Sequence, residues 1–179
     1  MSNKTKIVTI LGSTGSVGRQ TLDIVSAHPE RFKVEVLTSN QNVDLLIEQA
    51  KFFKPKIVAI TDDKYSSALK KALAGLSIKV LTGKEALVEA ASEYCDIFIS
   101  AVVGIAGLAP TMEALKHGRT NMAIAGGVNV ILYPENSVGL ARANMLSPTN
   151  RCHTFSEEAD GYVRAEGCAL VVLKRLSDA

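Results

Sequence analysis

The stretch Lys6-Ile7-Val8-Thr9-Ile10-Leu11-Gly12-Ser13-Thr14-Gly15-Ser16-Val17-Gly18 decides how the first part of the chain folds. Lys6 to Leu11 is short and rich in β-branched residues, and it halts at Gly12, which predicts a buried strand. A helix is expected from Ser16 to about Ala27, where Val17, Thr21, Leu22, Ile24 and Val25 form an apolar face. Pro29 ends it. Three glycines between a strand and a helix allow a tight turn and a close approach of backbone to a pyrophosphate. Free amides and the dipole at the helix start then attract phosphate groups. The plainer alternative is a strand-to-helix turn that binds nothing.

Outward from this unit the same grammar repeats. Strands are expected at Lys33 to Leu37, Lys56 to Ile60, Ile78 to Leu81 and Ile97 to Ser100. Helices are expected between them at Val43 to Phe53, Lys64 to Leu73 and Glu85 to Ala91. Thr111 to Lys116 closes the series as a helix capped by Gly118. Strands alternating with helices imply parallel βαβ units and a doubly wound sheet.

After Thr120 the pattern changes. Met122 to Ala125 reads as a buried strand, Gly126-Gly127 as a break, and Val128 to Leu132 as its resumption. A short helix is expected from Glu135 to Ala143, then a long polar loop from Ser147 to Asp160. Gly161 to Arg164 and Cys168 to Leu173, joined by a turn at Ala165-Glu166-Gly167, read as a terminal β-hairpin.

Bulk properties exclude several classes. The 179 residues suit one domain, or one domain plus an appended piece. At 47% hydrophobic and 21% charged, the composition is that of an ordinary globular protein. A net charge of +2 with no basic stripe argues against nucleic acid as a partner. No run of 18 apolar residues occurs, and the N-terminus carries no signal-peptide pattern, so no membrane association is expected. Cys95, Cys152 and Cys168 are an odd, widely spaced set that fits neither a disulfide framework nor a zinc site, which makes a reducing, cytoplasmic setting the expectation.

Cofactor choice is read at the end of the second strand. An Asp or Glu there would accept hydrogen bonds from a ribose 2′-hydroxyl and repel a 2′-phosphate. The chain has Thr38-Ser39-Asn40-Gln41-Asn42 instead, which tilts the choice to NADP, although no Arg or Lys stands in that stretch. Asn42 is also a natural N-cap for the helix at Val43, and both readings can hold together.

These residues carry a resemblance. The glycine loop, with Gln20 to Val25, His28 to Phe32, Asn42-Val43 and Ala101 to Thr111, is similar to the N-terminal domain of the 1-deoxy-D-xylulose 5-phosphate reductoisomerase family over about residues 5–120. That family uses NADPH and a divalent metal to rearrange and reduce a phosphorylated ketose in isoprenoid biosynthesis by the non-mevalonate route. The resemblance implies NADPH as cofactor, with Thr14, Gly15, Ser16 and Val17 at the pyrophosphate. It puts Asn40, Gln41 and Asn42 near the adenosine ribose and its 2′-phosphate, and Ala101 and Val102 on the nicotinamide side. Gln41 stands where the family often has a basic residue. The family's Ala-Asn-Lys-Glu-Ser motif should follow Gly118-Arg119-Thr120, but the chain reads Asn121 to Gly127 there, without the substrate-binding lysine and its neighbouring glutamate. The family's metal motif and catalytic domain are absent as well, so no catalytic and no metal residues are assigned.

Residues from about Asn121 to Ala179 resemble a second family, the ketosynthase domains of polyketide and fatty acid synthases. The carrying residues are Met122 to Asn129, Met145 to Pro148, Arg151-Cys152, Ala159 to Arg164, Glu166 to Cys168 and Leu173 to Leu176. That family's nucleophilic cysteine and two catalytic histidines match nothing here. The expectation is therefore a chimera. Residues 1–120 would form an NADPH-binding Rossmann-like α/β domain with a doubly wound, mostly parallel sheet. Residues 121–179 would form a thiolase-like fragment ending in a β-hairpin and able to continue the same sheet. Functionally this is an NADPH-binding module that is catalytically incomplete. The rivals are a working reductoisomerase, a β-ketoacyl synthase-type acyltransferase fragment and an engineered structural chimera without activity. Apolar strands stripped of their usual neighbours leave open homo-oligomerisation.

Other residues have plainer roles. Cys152-His153 is adjacent in sequence, and adjacent side chains on a strand diverge. His28 and His117 fall at helix ends, where a dipole contact suffices. Glu157, Glu158 and Asp160 read as a solvated loop.

Overall fold

The computed structural model describes residues 5–102, 104–116, 118, 122–174 and 176–178. It divides into two compact units: residues 1–123 with 174–179, and residues 124–173.

The first unit is built on five parallel strands: β1 (Lys6–Leu11), β2 (Phe32–Ser39), β3 (Ile57–Ile60), β4 (Lys79–Thr82) and β5 (Ile97–Ser100). Their order across the sheet is β4-β3-β2-β1-β5, and every pairing is parallel. Between them run α1 (Ser16–Ala27), α2 (Val43–Phe53), α3 (Ser66–Ala72) and α4 (Ala86–Ala91), with α5 (Leu108–Lys116) after β5.

The order dictates the layers. Parallel crossovers are right-handed, so three successive steps from β1 to β4 in one direction put α1, α2 and α3 on one face. The return from β4 to β5 reverses direction and puts α4 on the other. The core obeys this. Leu22 and Val25 of α1, Leu46 and Ala50 of α2, and Leu69 of α3 pack with Val8, Ile10, Val34, Leu37, Val58 and Ile60. Ala86 and Ala90 of α4 pack with Val36, Ile57, Ala59 and Leu81 on the opposite side. The doubly wound, Rossmann-like sheet expected from the sequence is thus the one observed.

One strand departs from simple alternation. Val8 pairs with Val34, but Thr9 pairs with Val36, so Glu35 is an extra residue in β2. A bulge of this kind switches the facing of everything beyond it. Val34 and Leu37 consequently share one face while Val36 turns to the other.

Helix boundaries follow local chemistry. Asn42 caps α2 by accepting from the Leu45 amide at 3.3 Å, and Lys54 closes it with a left-handed φ of 48°. The 64–73 helix opens instead as a 3-10 turn at Asp63–Tyr65, capped by the Asp62 carboxylate. Gly118 follows α5 with φ 64° and donates its amide to the Leu115 carbonyl. His28 is the C-cap of α1; His117 lies outside the described residues.

β6 (Met122–Asn129) and β7 (Gly167–Lys174) pair with each other in a two-stranded sheet. β6 runs unbroken through Gly126-Gly127, correcting the expected interruption there. Glycine weakens a strand without forbidding it, and the ladder to β7 decides the matter. In the second unit α6 (Glu135–Arg142) follows, then the expected loop. Gly161 to Arg164 is not a strand: Tyr162 makes a single bridge to Leu146, and β7 takes β6 as its partner instead. Gly161 permits the close approach at this bridge: its φ is 143°, and a Cβ there would stand only 2.5 Å from the Ser147 amide nitrogen.

Candidate functional site

Because β5 returns beside β1, the carboxyl ends of these two strands part their following segments in opposite directions. In open α/β sheets this switch point is where ligands bind. A cleft of about 640 Å³ lies there. Its lining follows the strand order: Ala101, Val102 and Ala106 after β5, Gly12, Thr14 and Gly15 after β1, Thr38 to Asn40 at β2, Thr61 after β3, and Lys84 after β4.

The loop after β1 is closely fitted. Gly12 has φ 77°, and a Cβ there would stand 2.6 Å from the Ala101 carbonyl oxygen. Gly18 sits where the first turn of α1 crosses the loop, with a virtual Cβ 2.6 Å from Ser13 Cα. Gly15 is different: its φ of −77° is ordinary and its virtual Cβ approaches only the Gly12 oxygen, at 3.4 Å. Space above Gly15 is open to the cleft.

A buried polar network holds the loop still. The Ser13 amide and hydroxyl both donate to the Thr38 carbonyl, at 2.8 and 3.1 Å. The same hydroxyl reaches Gln49 Oε1 at 2.7 Å, and Gln49 Nε2 returns a bond to the Ser13 carbonyl at 3.0 Å. The Gly12 amide donates to the Thr38 hydroxyl at 2.9 Å, and Thr14 and Ser39 share a hydroxyl–hydroxyl bond of 2.8 Å. The start of α1, by contrast, has no side-chain cap at Gly15 and no acidic residue in its first turn. Its positive end is left for a ligand.

Of the nine residues read from the sequence, Thr14, Gly15, Asn40, Ala101 and Val102 line the cleft together. Ser16 and Val17 are exposed at the start of α1 beside it. Gln41 is exposed, and its carbonyl accepts from the Val43 amide. Asn42 spends its side chain on the α2 cap. Sequence reasoning missed Gln49, Thr61 and Lys84. Gln49 carried a signal, being a polar residue at helical spacing with Leu46 and Ala50 on the buried face of α2. Thr61 and Lys84 could have been nominated because each lies within two residues of the carboxyl end of a parallel strand.

Elsewhere, the Cys152 sulfur accepts from the Val163 amide at 3.1 Å, and His153 lies 3.7 Å from Glu158, so the two do not meet on one atom. Among the described residues no three His, Cys, Asp or Glu side chains are grouped to hold a metal. No helix among them is long and apolar enough to cross a membrane. In the second unit a cleft of about 790 Å³ is lined by Glu135, Asn136, Tyr162 and Arg164 among others.

The fold and its switch-point cleft define a Rossmann-like α/β domain. Residues 8–126 match the family model for 1-deoxy-D-xylulose 5-phosphate reductoisomerase, and the chain belongs to that family. The reductoisomerase of Porphyromonas gingivalis is 42% identical over 142 residues, covering 79% of this chain and 37% of its own length. That of Tolumonas auensis is 50% identical over 116 residues. The Zymomonas mobilis reductoisomerase, solved in complex with NADPH, superposes with a TM-score of 0.62 at 41% identity, covering 64% of this chain and 30% of that one. The chain thus spans about a third of the length of the curated relatives it matches. Residues 102–179 match the model for the N-terminal domain of β-ketoacyl synthase. The two matches overlap over residues 102–126, and the later part of the chain is thus similar to a second family as well.

Proposed function

We propose that the chain is an NADPH-binding module that does not complete a reaction. The observation that carries this is the uncapped start of α1 above Gly15, where a side chain would fill the space a pyrophosphate needs. Thr14, Gly15, Ser16 and Val17 would hold the diphosphate, Asn40, Gln41 and Asn42 the adenosine ribose and 2′-phosphate, and Ala101 and Val102 the nicotinamide side. A bound NADPH would supply a hydride. The chain has no counterpart of the substrate lysine and glutamate that should follow Gly118, and hydride transfer needs a positioned electrophile. Residues 1–120 would be the binding domain and 121–179 the ketosynthase-like fragment, acting in the cytoplasm.

Calorimetric titration tests the reading: NADPH should bind saturably, and absence of binding at millimolar concentration would overturn it. Metal-dependent oxidation of NADPH in the presence of the phosphorylated ketose would overturn the catalytic part. We also propose self-association through the second unit, because Val171 and Val172 of β7 are 58% and 61% exposed and a two-stranded ribbon is marginal alone. A monomeric mass by light scattering at high protein concentration would refute it.

A further inference from the structure

The adenosine end of the cleft contains a second polar lock that the cofactor reading does not use. Asn40 directly follows β2 without any acidic neighbour in the Thr38–Asn42 stretch, and its side chain is not left to choose its own orientation. The Thr61 hydroxyl donates to Asn40 Oδ1 at 2.6 Å. Around this contact the backbones are joined as well: the Thr61 amide donates to the Ser39 carbonyl at 3.1 Å, and the Asp62 amide to the Asn40 carbonyl at 3.2 Å. Both side chains line the cleft. A planar amide whose oxygen is committed keeps its NH2 as the uncommitted group, and that group can only donate. A donor suits an anionic oxygen. Bonds of this kind to a charged acceptor are roughly twice as strong as those to a neutral one. Among the described residues that line the cleft, Lys84 is the one cation, accompanied by Glu85.

We propose that Thr61 is a positioning residue for cofactor discrimination: by holding the Asn40 oxygen it presents the amide donors to a ribose 2′-phosphate. This rests on the NADPH reading above. Without the Thr61 hydroxyl the amide is free to turn its oxygen toward the phosphate, where it repels.

The test is a parallel titration of the whole chain and of Thr61→Val and Thr61→Ser with NADPH and NADH. Valine keeps the shape of threonine and leaves the main-chain bonds in place, while serine restores the hydroxyl. Thr61→Val should weaken NADPH by about tenfold or more and leave NADH within about two-fold, as expected for one oriented bond to a charged group. Thr61→Ser should return the NADPH to NADH ratio to that of the parent. A ratio unchanged in Thr61→Val, or both affinities falling together, would overturn the role of Thr61 alone. A parent chain that binds neither nucleotide would overturn the cofactor reading itself.

Discussion

Replacing Gly18 with alanine tests the closest contact in the site. The new methyl would lie 2.6 Å from Ser13 Cα and 2.7 Å from the Ser13 carbonyl carbon, and closer still to the Gly12 oxygen. These are main-chain atoms, so no rotamer change can relieve the contact. Reaching ordinary separation requires the first turn of α1 to retreat by roughly 1 Å, judged against normal van der Waals packing. Overpacking of this kind costs about 1–3 kcal/mol. Alanine returns up to about 1 kcal/mol through its better helix propensity. The net expectation is a loss of about 1–2 kcal/mol, which lowers the urea midpoint by roughly 0.5–1 M for a typical m-value. Gly15→Ala is the control, because its φ is ordinary and its nearest neighbour is 3.4 Å away. It should change stability by about 1 kcal/mol or less. Its methyl, however, enters the open side of the loop, so NADPH affinity should fall at least about tenfold. Urea unfolding followed by circular dichroism checks both variants. A Gly18→Ala protein as stable as its parent would refute the packing argument, and a Gly15→Ala protein with full affinity would refute the placement of the diphosphate.

Thr9→Val should stabilise the chain by about 1 kcal/mol, because the Thr9 hydroxyl is buried without a hydrogen-bond partner among the described residues and valine has the same shape; a lower unfolding midpoint would contradict this. Gln49→Leu should cost about 2–3 kcal/mol in the same assay, since it strands the Ser13 carbonyl and removes one partner of the Ser13 hydroxyl in a buried setting. Asp160 is held below the ordinary carboxylate value by hydrogen bonds from Ser147 and then Thr149. Its contribution to the 147–160 loop is therefore fully present above that ordinary value and disappears as the pH falls through the depressed one. The Ser147 amide resonance, followed by NMR, should titrate with a midpoint below that of an ordinary aspartate; a midpoint above it would refute the assignment.

Much of the first unit was legible in the order of residues. Lys6 to Leu11 and the glycines after it specify a strand, a turn and a helix through local sterics, and Asn42 before Val43 specifies a helix start through one side-chain bond. Composition alone could not assign Asn42 between cap and ligand contact; the Leu45 amide settles where its oxygen goes. Gly126-Gly127 shows the limit of local rules, since the pair reads as a break yet lies within β6. The Gly161 to Arg164 run, β-rich on paper, lost its partner to β6.

The sequence by itself determined the βαβ rhythm, the position of the glycine loop and the absence of acid after β2, because each depends on residues within a few positions of one another. Tertiary structure alone decided that β5 returns beside β1 and so opens the cleft, and that Gln49 and Thr61 brace Ser13 and Asn40 from 36 and 21 residues away. It alone decided that Glu35 bulges and turns Val36 toward α4. Facing and pairing depend on which distant strand supplies the matching hydrogen bonds, and that information resides in the packed whole rather than in any short window of the chain.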